Sequence, residues 1–237
     1  MFHRPLATFC LLVFTILLFS CEPGAKGNGT VVTKTHDVGN FDAIDIGGIF
    51  EVILEEGNSP GVIVETDENL HELITVENNN GTLNIQTEGR ISDARELLLR
   101  ITFKKIKDID LSGAVDLKSN SVMKGKNLEI DISGAADLTL PVDVKNLVID
   151  ASGGCEIDLE GTVNKIDFQV SGAGELKALN LEAKEAIISI SGAGSAEVNV
   201  SKKLDVNVSG AGSVQYTGDP VISKSISGAG SVEKIKV

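Results

Sequence analysis

The sequence has almost no large aromatic side chains and few cysteines or prolines. Trp is absent, Tyr occurs once, and Cys and Pro occur 3 and 5 times in 237 residues. A core without large rings must be built from aliphatic residues, as in thin, layered and repetitive folds. With 42% hydrophobic residues, the chain is still long and apolar enough to bury a sizeable core.

Positive charge is also scarce. Asp and Glu number 34 against 21 Lys and Arg, which gives a formal net charge of −13. Beyond the first 20 residues, Arg occurs only at Arg90, Arg95 and Arg100. Nucleic-acid binding depends on clustered cations that neutralise phosphates, so a nucleic-acid partner is excluded.

The N-terminus resembles a bacterial export signal. Leu6–Phe19 is an almost unbroken apolar run, too short to cross a bilayer as a helix and suited to the core of a signal peptide. It ends in Leu18-Phe19-Ser20-Cys21, which resembles the lipobox where a signal peptidase cuts before a lipid-carrying Cys. We predict a lipoprotein signal peptide over 1–20, lipid attachment at Cys21 and a flexible Gly-rich tether over 21–30. An ordinary secretory peptide is the alternative.

The C-terminal half contains a repeat. The dipeptide Ser-Gly recurs seven times, at intervals of 21, 19, 19, 20, 18 and 18 residues. Internal repeats determine the architecture of a fold, so this repeat is interpreted before any other feature. The repeated serines are Ser112, Ser133, Ser152, Ser171, Ser191, Ser209 and Ser227.

Alignment of the repeats on this Ser produces alternating apolar and polar columns. The positions one and three residues before the Ser are mostly Ile, Val or Leu, and this period of two is typical of strands with one buried face. The position between them is polar: Asp110, Asp131, Asp150, Gln169, Ser189, Asn207 and Ser225. The Gly after each Ser can adopt positive φ, which allows a sharp turn. These predicted turn glycines are Gly113, Gly134, Gly153, Gly172, Gly192, Gly210 and Gly228.

One repeat alone buries nothing, so the repeats must stack. Stacking at roughly 4.7–4.9 Å places like residues in line. The sequence therefore predicts an all-β, single-stranded parallel β-solenoid with about 19 residues per rung over residues 106–237.

Residues 31–105 are less regular. About 65 residues separate Gly47 from Ser112, which would make roughly three further rungs of the same winding. We favour one continuous solenoid over 31–237, and a separate N-terminal β-domain is the alternative. Asn78–Gly81 is a turn signal, and Asp67–Leu73 suits a short helical turn. The predicted strands are Val31–Thr35, Phe41–Ile46, Ile49–Glu55, Val62–Glu65, Ile74–Glu77, Thr82–Thr87 and Glu96–Phe103.

The chain resembles the bacterial family of putative auto-transporter adhesins with a head GIN domain. The resemblance rests on the sequence from Phe41 to Gly57, on Asn69-Leu70 with Gly81–Ile85, and on the Ser-Gly-x-Gly repeats. This family is common in Bacteroidetes, often behind lipoprotein signals. The resemblance implies a right-handed, pectin-lyase-like parallel β-helix without the catalytic residues of those enzymes, and a role in cell adhesion.

A second column of the repeats suggests a metal site. Four residues after the Ser lie Asp116, Asp137, Glu156 and Glu175, which stacking would place about 4.8 Å apart. A hard cation such as Ca²⁺ would relieve the repulsion between these carboxylates. The alternative, which we favour, is a solvated acidic face, so no metal or other cofactor is expected.

Nucleophilic catalysis is not indicated. Cys155 stands in a column of small or apolar residues, which favours a packed corner. A nucleophile also needs a base in reach, and beyond the signal the chain has only His36 and His71, neither in a pairing motif. With Cys10 in the signal and Cys21 acylated, Cys155 has no partner for an internal disulfide.

These observations predict a non-enzymatic, lipid-anchored envelope protein that presents a β-solenoid surface for adhesion. The expected partners are the membrane, through the lipid, and a protein or glycan ligand. An outer-membrane location is expected, on the surface or the periplasmic face. The alternatives are a periplasmic scaffold or stress-signalling component and a polysaccharide-active enzyme. A solenoid has unpaired strand edges at its ends. We predict that charged side chains protect the C-terminal edge from pairing, at Lys224, Lys234 and Lys236. The alternative is that the terminal rung docks on a second copy.

Overall fold

The chain folds almost entirely into β-strands, which confirms the all-β class. The computed structural model describes residues 24–236. A 3₁₀ helix spans Glu68–Leu73. The strands are β1 (Ala25–Lys26), β2 (Val31–His36), β3 (Ala43–Glu56), β4 (Gly61–Asp67), β5 (Ile74–Asn79), β6 (Thr82–Thr87), β7 (Ile91–Asp93), β8 (Leu97–Phe103), β9 (Asp108–Ser119), β10 (Met123–Gly192), β11 (Ser195–Gly210), β12 (Ser213–Thr217), β13 (Val221–Gly228) and β14 (Ser231–Lys234).

From β9 onward the strand pairing is parallel, and like residues of successive repeats lie opposite one another. Ile109 pairs with Ile130 and Gly113 with Gly134 between β9 and β10. β10 pairs in the same way with β11, β11 with β12 and β13, and β12 with β14. Each repeat therefore hydrogen-bonds to the repeat before it.

β10 is an extended segment of 70 residues that turns at several corners and contacts itself. The Thr162 hydroxyl donates a hydrogen bond of 3.0 Å to Asp143 Oδ1, 19 residues earlier. The glycine corners of three of its repeats also touch in sequence, at Gly134, Gly153 and Gly172. Several repeats of the same ladder thus lie within this one segment.

The core is a stack of aliphatic side chains in matching columns. Three residues before each repeated Ser, the buried series comprises Ile109, Ile130, Ile149, Phe168, Ile188 and Val206. At the position three residues after the Ser, the side chain is large at the N-terminal end of the stack and small at the C-terminal end. It is Phe50 beside Val115 in the first pair, then Ala136, Cys155 and finally Gly. The core therefore narrows at this corner toward the C-terminus.

β3 lies between strands that follow it in the chain. It pairs in parallel with β9, with Gly47 opposite Ser112. On its other side it pairs in parallel with β6 and β8. The expectation of roughly three further rungs between Gly47 and Ser112 is therefore wrong, because these two residues are direct neighbours in the ladder.

Three pairs of N-terminal strands are antiparallel, so the sheet as a whole is mixed. β4 pairs antiparallel with β8 and β2, and β5 pairs antiparallel with β6. The β5–β6 hairpin turns at Asn80 and Gly81, both with positive φ, as the turn signal predicts. These strands cover the N-terminal side of the ladder, whose backbone groups would otherwise be unpaired. That requirement is why the uniform winding predicted for 31–105 is not found.

Residues 24–30 are held against the domain. β1 pairs in parallel with β7, and Gly27 N donates a hydrogen bond of 2.8 Å to Asp93 O. The prediction of a flexible tether is therefore wrong for these residues. Gly-rich composition indicates little about order when backbone partners are available. The predicted signal peptide and residues 21–23 lie outside the described residues.

The C-terminal edge of the ladder is open. Every residue of β13 is exposed, including Val221 at 75%. Lys224 occupies the column that is apolar and buried in the preceding repeats, opposite Val206. The described chain thus ends in a rung whose outer side has no strand beyond it.

Candidate binding groove

An open groove of about 800 Å³ runs along the repeats on one outer face. Its two sides are the polar column two residues before each Ser and the Ser column itself. Between them lies the backbone of a residue whose apolar side chain is buried in the core in six of the seven repeats. The lining residues are Asp110, Asp131, Ile132, Ser133, Asp150, Ala151, Ser152, Gln169, Val170, Ser171, Ser189, Ile190, Ser191, Asn207, Val208, Ser209, Ser225 and Ser227.

The repeat itself explains the groove. Residues two apart on a strand point to the same face, so the polar residue and the Ser of each repeat both face outward. The Gly that follows has φ between +110° and +141° in all seven repeats, so the chain changes direction directly beside the Ser. Because the repeats are in register, the two side chains recur in every rung and form continuous sides.

One end of the groove is acidic. Asp45 pairs with Asp110, and Asp110 with Asp131, in successive rungs. Burial raises the pKa of Asp110, and the neighbouring carboxylates of Asp45 and Asp131 raise it further. Gln86 Nε2 donates a hydrogen bond of 2.9 Å to Asp45 Oδ1 and ends this row of carboxylates. From Gln169 onward the lining is uncharged.

Burial also raises the pKa of Asp131, with the carboxylates of Asp150 and Asp108 adding to the effect. Asp110 and Asp131 thus share one kind of environment.

The structure places the four predicted metal candidates on a different face, where lysines accompany them. Lys118 Nζ lies 3.3 Å from Asp116 Oδ2. Lys177 Nζ lies 2.5 Å from Glu156 Oε1 and 3.9 Å from Glu175 Oε1. Within residues 24–236, no group of three or more His, Cys, Asp or Glu side chains is arranged to hold a metal ion. Asp116, Glu156 and Glu175 therefore each have a lysine partner. The remaining candidate, Asp137, pairs in register with Asp116.

The predicted turn glycines all lie at corners of the ladder and pack on one another. A Cβ added to any of them would overlap a backbone carbonyl oxygen of the preceding rung. For Gly113 that oxygen belongs to Gly48, and for Gly134 it belongs to Gly113. Both the turn and the close approach of the rungs therefore require Gly.

The remaining titratable candidates are spread apart. Cys155 is buried, and burial raises the pKa of its thiol. His71 is buried, and its Nε2 lies 2.9 Å from Val32 O. His36 lies in β2, where burial, followed by the charges of His71 and Lys34, lowers its pKa. Neither imidazole lines the groove.

Cys21, the predicted lipid attachment residue, lies outside the described residues. In the part of the chain that the structure does describe, no helix is both long and apolar enough to cross a bilayer.

Sequence reasoning recognised the column from Asp110 to Ser225 as polar but assigned it no role. The sequence does contain the pattern, because in every repeat an outward residue lies two positions before the outward Ser. What the sequence lacks is the local direction of the corner, which makes this face concave.

Several solved structures are similar to this chain, including the following three. A putative adhesin from Bacteroides fragilis superposes with a TM-score of 0.85 at 23% identity, covering 90% of this chain and 100% of that chain. A protein named putative lipid binding protein, from Parabacteroides distasonis, gives 0.74 at 26% identity with the same coverage. A putative adhesin from Parabacteroides merdae gives 0.61 at 21% identity, covering 90% of this chain and 99% of that chain.

No curated protein matches the chain. The family suggested by the sequence is confirmed by a match over residues 40–220. Because this match covers well over half of the sequence, the chain belongs to the family described as putative auto-transporter adhesin, head GIN domain.

Proposed function

We propose that this protein is a non-enzymatic, lipid-anchored adhesin of the cell envelope that binds its ligand in the groove. The observation that carries the proposal is the groove itself, which extends from Asp110 to Ser227 with outward polar side chains in register. Regularly repeated polar groups suit an extended ligand, such as a glycan chain, because one local contact can recur in each rung. The ligand would lie along the ladder.

We further propose that the repeats form a right-handed parallel β-helix. The parallel register of like residues between repeats supports a helical winding. The self-contacts of β10 at intervals of 19–21 residues support it too. A rigid winding of this kind would hold the groove residues in place before the ligand arrives, which reduces the entropic cost of binding.

The anchor is proposed from the lipobox-like sequence before Cys21. A single acyl chain gives only marginal retention, so firm anchoring needs at least a second chain. The family suggests the cell envelope or surface, and we propose an outer-membrane lipoprotein. The same groove on a periplasmic protein would serve a scaffold or stress-signalling role through another envelope protein.

A polysaccharide-active enzyme is the alternative function to test. Neighbouring rungs lie about 4.8 Å apart, which is close to the carboxyl separation of retaining glycosidases.

The test has two stages. Protease treatment of intact cells that express the full chain should degrade the protein before lysis, which would place it outside. Those cells should then adhere to at least one member of a panel of immobilised polysaccharides and matrix proteins. Protection from protease until lysis would contradict adhesion and favour the periplasmic scaffold.

A pair of substitutions connects adhesion to the groove. Ser152→Tyr fills the groove from its Ser side, and adhesion should fall at least tenfold. Thr139→Tyr is the matched control, because Thr139 is an exposed strand residue outside the groove. Equal adhesion by both variants would contradict the groove as the binding surface. Release of new reducing ends from any polysaccharide, lost in Asp131→Asn, would instead establish an enzyme.

A second candidate function is binding of a lipid chain. The half of the groove from Gln169 onward has an uncharged lining, which would accept an apolar chain more readily than the acidic end. The similar protein from Parabacteroides distasonis carries the name putative lipid binding protein. If the groove binds a lipid chain, a lipid should co-purify with the wild-type domain and should be absent from the Ser152→Tyr variant. Native mass spectrometry would detect the difference.

A further inference from the structure

The segment that follows the predicted lipid attachment residue is fixed to one end of the domain. Ala25 N donates a hydrogen bond of 2.7 Å to Arg90 O, which begins the pairing of β1 with β7. Asn69 holds the next residues from both sides, because its Oδ1 accepts from Asn28 N and its Nδ2 donates to Lys26 O, each at 2.9 Å. The segment is therefore bound along its length.

A buried carboxylate completes this attachment. Asp67 is fully buried, and its Oδ1 accepts a hydrogen bond of 2.5 Å from Gly29 N. Its Oδ2 accepts one of 2.7 Å from Arg95 N. A Cβ at Gly27 would overlap this carboxylate, so the segment packs closely against it. Asp67 thus joins the segment to the backbone that precedes β8.

Very little chain separates Cys21 from this fixed segment. Three residues lie between Cys21 and the first residue of β1, and each residue spans at most about 3.6 Å. A lipid on Cys21 would therefore hold the start of β1 within about 15 Å of the membrane surface. The segment cannot act as a long flexible tether.

β1 is at the N-terminal end of the ladder. Its partner β7 lies between β6 and β8 in chain order, and both of those strands pair with β3 on the side away from β9. β13 ends the ladder on the opposite side, eight rungs further on. At about 4.8 Å per rung, the two ends are on the order of 40 Å apart.

Arginine is concentrated beside the anchor. Arg90 and Arg95, two of the three arginines beyond residue 20, contact opposite ends of the docked segment. Lys26 is exposed nearby and forms a salt bridge of 3.0 Å with Asp93.

We propose that the end of the domain formed by β1, β7 and the 3₁₀ helix rests on the lipid surface, with β13 and β14 at the membrane-distal end. This inference depends on the lipid anchor of the proposed function. It adds an orientation: the groove runs away from the membrane, with its acidic end toward the bilayer and its uncharged end outward.

The test measures the depth of two positions in the full, lipidated chain reconstituted into phosphatidylcholine–phosphatidylglycerol vesicles. A fluorophore is attached at Glu88→Cys near the anchor or at Val221→Cys on the last rung, both exposed positions. Nitroxide-labelled headgroups should quench the dye at residue 88 at least fivefold more than the dye at residue 221. Equal quenching would mean that the domain lies flat, and stronger quenching at residue 221 would mean the reverse orientation. Either outcome would overturn the proposal.

A linker variant supplies the control. Inserting about 20 Gly and Ser residues before Gly24 adds a root-mean-square span of roughly 25 Å. If the short connection sets the orientation, quenching at residue 88 should fall toward the value at residue 221. Undiminished quenching would contradict the role of the short connection.

The mass of the mature protein separates this proposal from the anchor. A protein without acyl chains would refute the anchor of the proposed function. A lipidated protein with the wrong quenching pattern would refute only the orientation.

Discussion

The α-carbon of Gly153 packs directly against the carbonyl group of Gly134, the equivalent glycine one rung earlier. A Cβ at Gly153 would overlap that oxygen, and the residue also has a φ of +136°. Its neighbour Gly154 has neither constraint, because the nearest atom to a Cβ there is Ala173 O at 3.7 Å. Of these two adjacent glycines at one corner, only Gly154 has space for a side chain.

Gly153→Ala should destabilise the domain, whereas Gly154→Ala should not. The positive φ alone costs roughly 1–3 kcal/mol in a residue with a Cβ, and the overlap with Gly134 adds to it. The free energy of unfolding from urea denaturation measures both variants. The Gly154→Ala change should stay within about 0.5 kcal/mol of wild type. Similar losses in the two variants would contradict the packing described for this corner.

The row of carboxylates at the acidic end of the groove should make stability depend on pH. Because burial and neighbouring carboxylates raise the pKa of Asp131 above the unfolded value of 3.8, its contribution to stability is present below pH 3.8 and is lost as the pH rises through the folded pKa. Asp131→Asn should therefore raise Tm at pH 7 and have little effect at pH 3.5. Like-charge neighbours in a sheet cost about 0.2–1 kcal/mol, or roughly 1–3 °C here.

The control for this experiment is Glu160→Gln, which removes an exposed carboxylate outside the groove. Its Tm should not differ from wild type at either pH. An Asp131→Asn variant that is less stable than wild type at pH 7 would contradict the repulsion.

Asp67 should have the opposite pH dependence. The hydrogen bond from Arg95 N, followed by the one from Gly29 N, lowers its pKa, so its stabilisation is present above the unfolded value of 3.8 and is lost as the pH falls through the folded pKa. Asp67→Asn replaces one acceptor oxygen with an NH₂ donor and should cost about 1–3 kcal/mol at pH 7. Hydrogen exchange should show loss of protection at residues 25–29.

Asp37→Asn is the comparison for Asp67, since Asp37 accepts a single exposed hydrogen bond of 3.3 Å from Gly39 N. It should leave both unfolding and exchange at residues 25–29 unchanged. Retained protection in Asp67→Asn would show that β1 docks without this carboxylate.

Lys224 should limit self-association at the open edge. It stands opposite Val206 in a column that is otherwise apolar, so a second copy stacked on β13 would have to bury its ammonium group. Lys224→Val should shift the mature domain toward dimers or longer assemblies at high concentration, as measured by light scattering. Lys126→Val, at an exposed position in β10 several repeats from the edge, should not. A strictly monomeric Lys224→Val would refute this role.

The repeats could be predicted from the sequence because their signals are local. A Gly after each Ser, apolar residues two apart and a nearly constant period together determine the strands, the corners and the parallel register. Gly113 opposite Gly134 follows directly from aligning the repeats. The groove was not predicted, because its concavity depends on the direction of each corner.

The N-terminal part could be predicted only as separate strands. Six of its strands and the 3₁₀ helix were recognised, but their pairing was not, because antiparallel β4 and parallel β9 have the same alternating pattern. β1 and β7 were missed, since Ala25–Lys26 and Ile91–Asp93 are too short for any periodicity. Their structure comes from long-range partners such as Asp67.

The position of β3 between β6–β8 and β9 has a consequence for the order in which the chain can fold. β3 emerges early in synthesis, but its two neighbours in the ladder are complete only at residues 103 and 119. Pairing of β3 on both sides therefore requires contacts between residues that are distant in the sequence, and such contacts form slowly. Each later repeat needs only the one already in place, so it can add as it emerges. We expect chains that stop after a whole repeat to retain a folded N-terminal part, and chains that stop before residue 119 to have none.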